Sequence, residues 1–192
     1  MTKRYGMVID QERCIGCDAC TVACRLEHDS PQGFIKVFTQ TSDTKDVPSG
    51  DFPDLKLVWI PKLCNHCENA PCIDSCPEGA LVKREDGIVI SDKELCTGCK
   101  SCIDACPYNV IYFNEKTNIA EKCNLCAHRI DNSLEPFCAI CCEGQAIYFG
   151  DLNDPHSKVS QIIAKKDTFQ LKPELRTNPI IFYSPPKKKR KL

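Results

Sequence analysis

The segment CTGCKSCIDACP, residues 96–107, sets four cysteines at intervals of three, three and four residues. CIGCDACTVAC (14–24) repeats that rhythm. CNHCENAPCIDSCP (64–77) carries it with two extra residues before its third cysteine. CNLCAHRIDNSLEPFCAICC (123–142) widens the same gap to eleven residues. The repeat extends beyond the sulfurs, since CIDSCP at 72 and CIDACP at 102 differ at one position. Internal similarity of this kind marks duplicated structural units. Each C-x-x-C pair crowds two thiolates around one point, and a third cysteine three residues on crowds them further.

Seventeen of the 192 residues are cysteine. That share, about 9%, lies in the range of cysteine-built scaffolds. The 42% hydrophobic content includes them, so about a third of the sequence is ordinary apolar residue, lean for packing a core. Disulfides or metal centres must supplement burial. Secreted disulfide frameworks are shorter, with scattered, even cysteine counts. The opening MTKRYGMVID has neither an apolar signal core nor a twin arginine. No run approaches 18 apolar residues, so no membrane span is expected. Metal is the better reading. Zinc sites also use C-x-x-C pairs, but in twos, without a three-then-one rhythm repeated four times.

Three close cysteines followed by a fourth is the bacterial ferredoxin run, in which three ligate one 4Fe–4S cube and the fourth a different one. Four groups of four give sixteen ligands and four cubes, and crossing over forces the groups to pair. Groups two and three, adjacent in sequence, give Cys64, Cys67, Cys72 with Cys106, and Cys76 with Cys96, Cys99, Cys102. Groups one and four then pair around them. Cys14, Cys17, Cys20 join Cys142, and Cys24 joins Cys123, Cys126, Cys138. In the first three groups the last two cysteines are four apart; Cys138 and Cys142 keep that interval, and Cys141 does not. Cys141 is expected to be a free thiol. The expected fold is α+β: two interlocked ferredoxin-like modules related by a pseudo-twofold axis. Residues 60–113 form the nested module, and 1–30 with 114–150 the discontinuous outer one. Residues 31–59 form an inserted hairpin, with strands in FIKVFTQ and LKLVWI. Residues 151–192 form a helix plus an extended tail, the helix capped by Asp154 with Pro155 in its first turn.

The order of the groups, with LCNHCENAPC (63–72), ACPYNVIYFN (105–114), EKCNLCAHR (121–129) and FGDLNDPHSKVS (149–160), resembles the four-cluster iron–sulfur subunits of the molybdopterin (dimethyl sulfoxide reductase) superfamily. Polysulfide, thiosulfate, arsenate and dimethyl sulfoxide reductases have such subunits. The resemblance covers residues from about 5 to about 183. It implies the same ligand pairing, and electron transfer in anaerobic respiration. It also implies a large catalytic partner carrying a molybdenum or tungsten bis-pterin cofactor, with a membrane or quinone-reactive subunit at the other end. Export folded with that partner, to the outer face of the cytoplasmic membrane, is the favoured location, the cytoplasm the alternative. A second function within the resemblance is the small subunit of a soluble hydroxyltransferase or dehydroxylase acting on aromatics. Proline usually follows the last cysteine of groups two to four in such proteins. Here Pro77 and Pro107 do, but Glu143 takes the third place, which puts that turn in question.

No catalytic Ser/His/Asp set, open metal position or dinucleotide fingerprint is present, so substrate chemistry is expected on another polypeptide. Arg13, Arg25, Lys100, Lys122 and Arg129 lie beside ligands and are expected to offset the negative charge of the clusters. His66 and His128 are expected to bond a carbonyl or a cluster sulfur rather than to replace a ligand. The terminal PPKKKRKL is expected to be a solvated tail, with no role in nucleic-acid binding.

Overall fold

The computed structural model describes residues 2–40 and 45–187. The basic run from 188 onward and the first four residues of the hairpin loop lie outside them.

The first element is strand β1 (Tyr5–Asp10), whose last five residues are buried. Helix α1 (Ala19–His28) follows the first cysteines. β2 (Lys36–Thr39) and β3 (Trp59–Lys62) pair antiparallel, with Phe38 opposite Ile60, and form the inserted hairpin. β3 starts later than LKLVWI suggested, because Lys56 instead bridges to Ser49 inside the long loop.

Next come the short helix α2 (Pro71–Asp74), the hairpin of β4 (Leu81–Lys83) and β5 (Val89–Ser91), and helix α3 (Ser101–Ala105). A second hairpin, β6 (Ile111–Asn114) with β7 (Ile119–Lys122), leads to helices α4 (Ala127–Ile130) and α5 (Phe137–Ile140). β8 (Ile147–Asp151) returns antiparallel to β1, with Met7 opposite Phe149. The two ends of the cysteine-bearing region are thus hydrogen-bonded together, α1 packs on α5, and α2 packs on α3. Between the first and last cysteine groups the elements are short, most of them three to five residues long.

Helix α6 (Lys158–Lys165) begins three residues after the expected position. Ser157 is its cap, the hydroxyl accepting from the Ser160 amide at 3.2 Å. Asp154 instead turns back to take the His156 amide at 2.8 Å, so Asp154–Pro155 belongs to a turn. The tail then packs back on its own protein. β9 (Ile181–Ser184) adds in parallel to β1, completing a sheet ordered β8-β1-β9. Tyr183 is fully buried there, its hydroxyl donating to the Pro61 carbonyl at 2.9 Å. Upstream, Ile180 and Asn178 bond the backbone of Asn65 and Glu68, so the tail ties the second cysteine loop to the central sheet.

Candidate iron–sulfur sites

Each cysteine group opens in the same way. The residue before the second cysteine has positive φ in all four: Gly16 (71°), His66 (43°), Gly98 (73°) and Leu125 (57°). This left-handed residue folds the loop back so that both flanking thiols face one point. At Gly16 and Gly98 a side chain would also collide, with the Trp59 indole nitrogen at 2.3 Å and the Asn118 carbonyl at 2.4 Å. The closing turns match as well. The amides of Gly79, Asn109 and Gln145 bond the carbonyls of Cys76, Cys106 and Cys142, and all three residues have positive φ. Glu143 therefore sits in the same turn as Pro77 and Pro107, and the missing proline leaves its geometry unchanged.

All seventeen cysteines are free thiols. Sixteen of them line four separate cavities. Cys14, Cys17, Cys20 and Cys142 surround the first. Cys24, Cys123, Cys126 and Cys138 surround the second. Cys64, Cys67, Cys72 and Cys106 surround the third. Cys76, Cys96, Cys99 and Cys102 surround the fourth. Cys141 lines none of these; its sulfur faces the Ala19 carbonyl at 3.5 Å and the Cys138 carbonyl at 3.8 Å. Among the described residues no three His, Cys, Asp or Glu side chains are grouped to hold a single metal ion. Thiolates on zinc stand about 2.3 Å from one atom and enclose no space. Four thiols set around a shared space, walled largely by apolar side chains, fit a multi-atom cluster instead.

The cavities lie in a row. α1 carries Cys20 to the first and Cys24 to the second, one helical turn apart. α5 carries Cys138 to the second, and Cys142 just beyond it reaches the first. α2 and α3 link the third and fourth in the same way, through Cys72 with Cys76 and Cys106 with Cys102. Between the pairs, Cys123 of the second lies in the electrostatic field of Cys64 of the third, and the half-buried Tyr112 in the fields of Cys24 and Cys106.

Burial pushes the Cys20 and Cys72 thiols up to about 12, with neighbouring thiols adding to the effect, and Cys67 and Cys126 up to about 11. Held in an apolar wall, such groups ionise only against a strong positive charge, which iron would supply. Amides already point at the sulfurs: Phe34 to Cys24 at 3.2 Å, Leu125 to Cys123 at 3.3 Å and Ala146 to Cys142 at 3.2 Å.

The histidines divide otherwise than expected. His66 is buried and its Nδ1 accepts the Val89 amide at 3.0 Å, so it bonds neither a carbonyl nor a sulfur there. His128 pairs with Glu27 at 2.7 Å. The histidine against a sulfur is His28, its Nε2 3.3 Å from Cys126 Sγ. The inserted hairpin also has a site role: Val37 and Pro61 wall the first cavity, Ile35 and Leu63 the second.

Comparison with known proteins finds iron–sulfur relatives. Two family models, each described as a 4Fe-4S dicluster domain, match residues 55–152 and 13–80. The sequence is 43% identical to a tetrathionate reductase subunit of Salmonella typhimurium, over 94% of this protein and 72% of that one. It is 39% identical to a polysulfide reductase subunit of Wolinella succinogenes, over 98% and 97%. The protein belongs to this family of 4Fe–4S reductase subunits. Another member, the arsenate respiratory reductase iron–sulfur subunit of Shewanella sp. strain ANA-3, is 36% identical over 94% of this protein and 95% of its own length. As an iron–sulfur reductase subunit the protein transfers electrons, and among its described residues no helix is long and apolar enough to cross a membrane.

Proposed function

We propose that this protein relays electrons through four 4Fe–4S clusters set in a row, between a molybdenum or tungsten bis-pterin catalytic partner and a second redox partner. Cluster 1 is held by Cys14, Cys17, Cys20 and Cys142, and cluster 2 by Cys24, Cys123, Cys126 and Cys138. Cluster 3 is held by Cys64, Cys67, Cys72 and Cys106, and cluster 4 by Cys76, Cys96, Cys99 and Cys102. When bound, each cluster takes up and releases one electron at a potential set by charge, hydrogen bonds and exposure.

The observation that carries this reading is the gradient of burial along the row. All eight cysteines of the two inner cavities are buried. The two outer cavities each have one exposed cysteine, Cys17 and Cys99. A row closed to water in the middle and open at both ends suits a path with an entry and an exit. The interlocked arrangement follows: β1 with β8 and α1 with α5 form the outer module around the first two sites, and α2 with α3 the nested module around the others. The β6–β7 hairpin crosses the boundary at 113/114 and joins them.

Anaerobic purification of the protein with its partner, followed by iron and acid-labile sulfide analysis, tests the ligand sets. About sixteen irons per polypeptide, four per cube, are expected. A stoichiometric zinc content in place of iron defeats the proposal.

A further inference from the structure

Among the described residues Lys122 is the only lysine or arginine that is buried, at 5% exposure. It ends β7, one residue before Cys123. Its ammonium donates to the carbonyls of Val89 and Cys123, the latter at 3.1 Å. Among the described residues no carboxylate pairs with it, and its neighbour Glu121 faces Lys93 at 3.7 Å instead. A buried ammonium without a counter-charge carries a large desolvation penalty, which carbonyl dipoles offset only in part. Among the described residues no ion pair supplies the missing negative charge.

The cysteine quartets do. Lys122 lines the wall of the fourth cavity, with Cys76, Cys96, Cys99 and Cys102. Its ammonium also donates to the carbonyl of Val89, which lines the third cavity with Cys64 and Cys72. Cys123 of the second is the next residue in sequence. We propose that Lys122 is the internal counter-charge of the relay, favouring the reduced state of the clusters around it. This rests on the ligand sets proposed above. A cube with 2+ charge and four thiolates carries about −2, and one electron from the neighbouring reduced cluster takes it to about −3. A fixed positive charge in a low-dielectric interior favours the more negative state. Lys122 thereby keeps an electron from meeting a steep rise in energy at the buried centre of the row. Lys122 is absent from the wall of the first cavity, and none of its hydrogen bonds reaches a residue of that wall.

The test is an EPR-monitored redox titration, with iron analysis, of the assembled complex carrying Lys122→Gln, Lys122→Met or Lys122→Arg. Gln keeps hydrogen-bond donors for the two carbonyls but no charge, Met keeps neither, and Arg keeps the charge. The expected result is full iron loading in Lys122→Gln, with at least two midpoint potentials more negative and at least one unmoved. A roughly tenfold weaker reduction is about 59 mV for one electron. Lys122→Arg should stay close to wild type. Unchanged potentials in a fully loaded Lys122→Gln complex, or an equal shift in all four, overturn the proposal. If both neutral variants lose iron, Lys122→Arg decides. Full loading at wild-type potentials supports a role for the charge, and loss of iron there too shows that only the shape of lysine matters. A wild-type complex with fewer than four clusters would instead defeat the ligand assignment, so the two failures are distinguishable.

Discussion

His28 and Cys126, 98 residues apart, meet at 3.3 Å between Nε2 and Sγ. As the proposed ligand of cluster 2 the Cys126 thiolate can only accept, so the ring N–H would donate to it. His28 also stacks edge-on against Phe34 and His128, with ring centroids at 5.6 Å and 5.5 Å. A phenylalanine would preserve that packing and remove the donor. In His28→Phe, cluster 2 should remain bound but become harder to reduce by about one to two decades, at 59 mV per decade. Redox titration of the variant complex checks this.

Cys141 and Cys142 separate cleanly by substitution. Cys142 lines the first cavity, while the sulfur of Cys141 faces two carbonyls. Cys141→Ser should keep all four clusters, and Cys142→Ser should lose or convert cluster 1. Iron analysis and EPR of the two purified complexes read the difference; the reverse pattern would exchange their roles.

Gly16 answers two demands at once, a φ of +71° and contact with Trp59. Gly16→Ala should therefore destabilise the first loop by about 1–3 kcal/mol and lower the occupancy of cluster 1 selectively. Trp59→Ala in the same background should recover part of the loss, because it removes the collision but not the backbone strain. Thermal unfolding with iron analysis measures both effects.

The Arg84 guanidinium grips Asp131 with bonds of 2.6 Å and 3.0 Å and holds its carboxyl below the ordinary 3.8. A folded-state pKa below the unfolded one gives stability that is present above the unfolded value and lost as pH falls through the folded one. Asp131 is half exposed, so the contribution is that of a surface pair, at most about 1 kcal/mol. Asp131→Asn should melt slightly below wild type at neutral pH, and the gap should shrink progressively as pH falls below about 4. A gap that is constant with pH contradicts this assignment.

Much of the site was legible because cysteine spacing is local information. Intervals of three and four residues identify loops and one-turn helices without knowledge of the fold. The equivalence of Cys138 and Cys142 to earlier pairs follows from the same count. Contacts across the fold were not legible. Nothing near His28 in sequence points to Cys126, and His66 and Leu125 fill left-handed positions that glycine marks in the other two groups. The start of α6 was misplaced because Asp154 and Pro155 suit a cap and a turn equally, and the Ser157 hydroxyl takes the capping role. The extended tail carries no local sign of what it packs on, and the pairing of Ile181 with Met7 places it on its own central sheet. Lys122 was one of five basic residues beside ligands; only burial separates it from the others.

The proposed relay requires all four quartets to conduct. The most direct measurement is EPR of the complex, first reduced by its physiological donor and then mixed with substrate. The predicted result is reduction of all four 4Fe–4S clusters, followed by their reoxidation when substrate is added. Clusters that stay unchanged during turnover would contradict it.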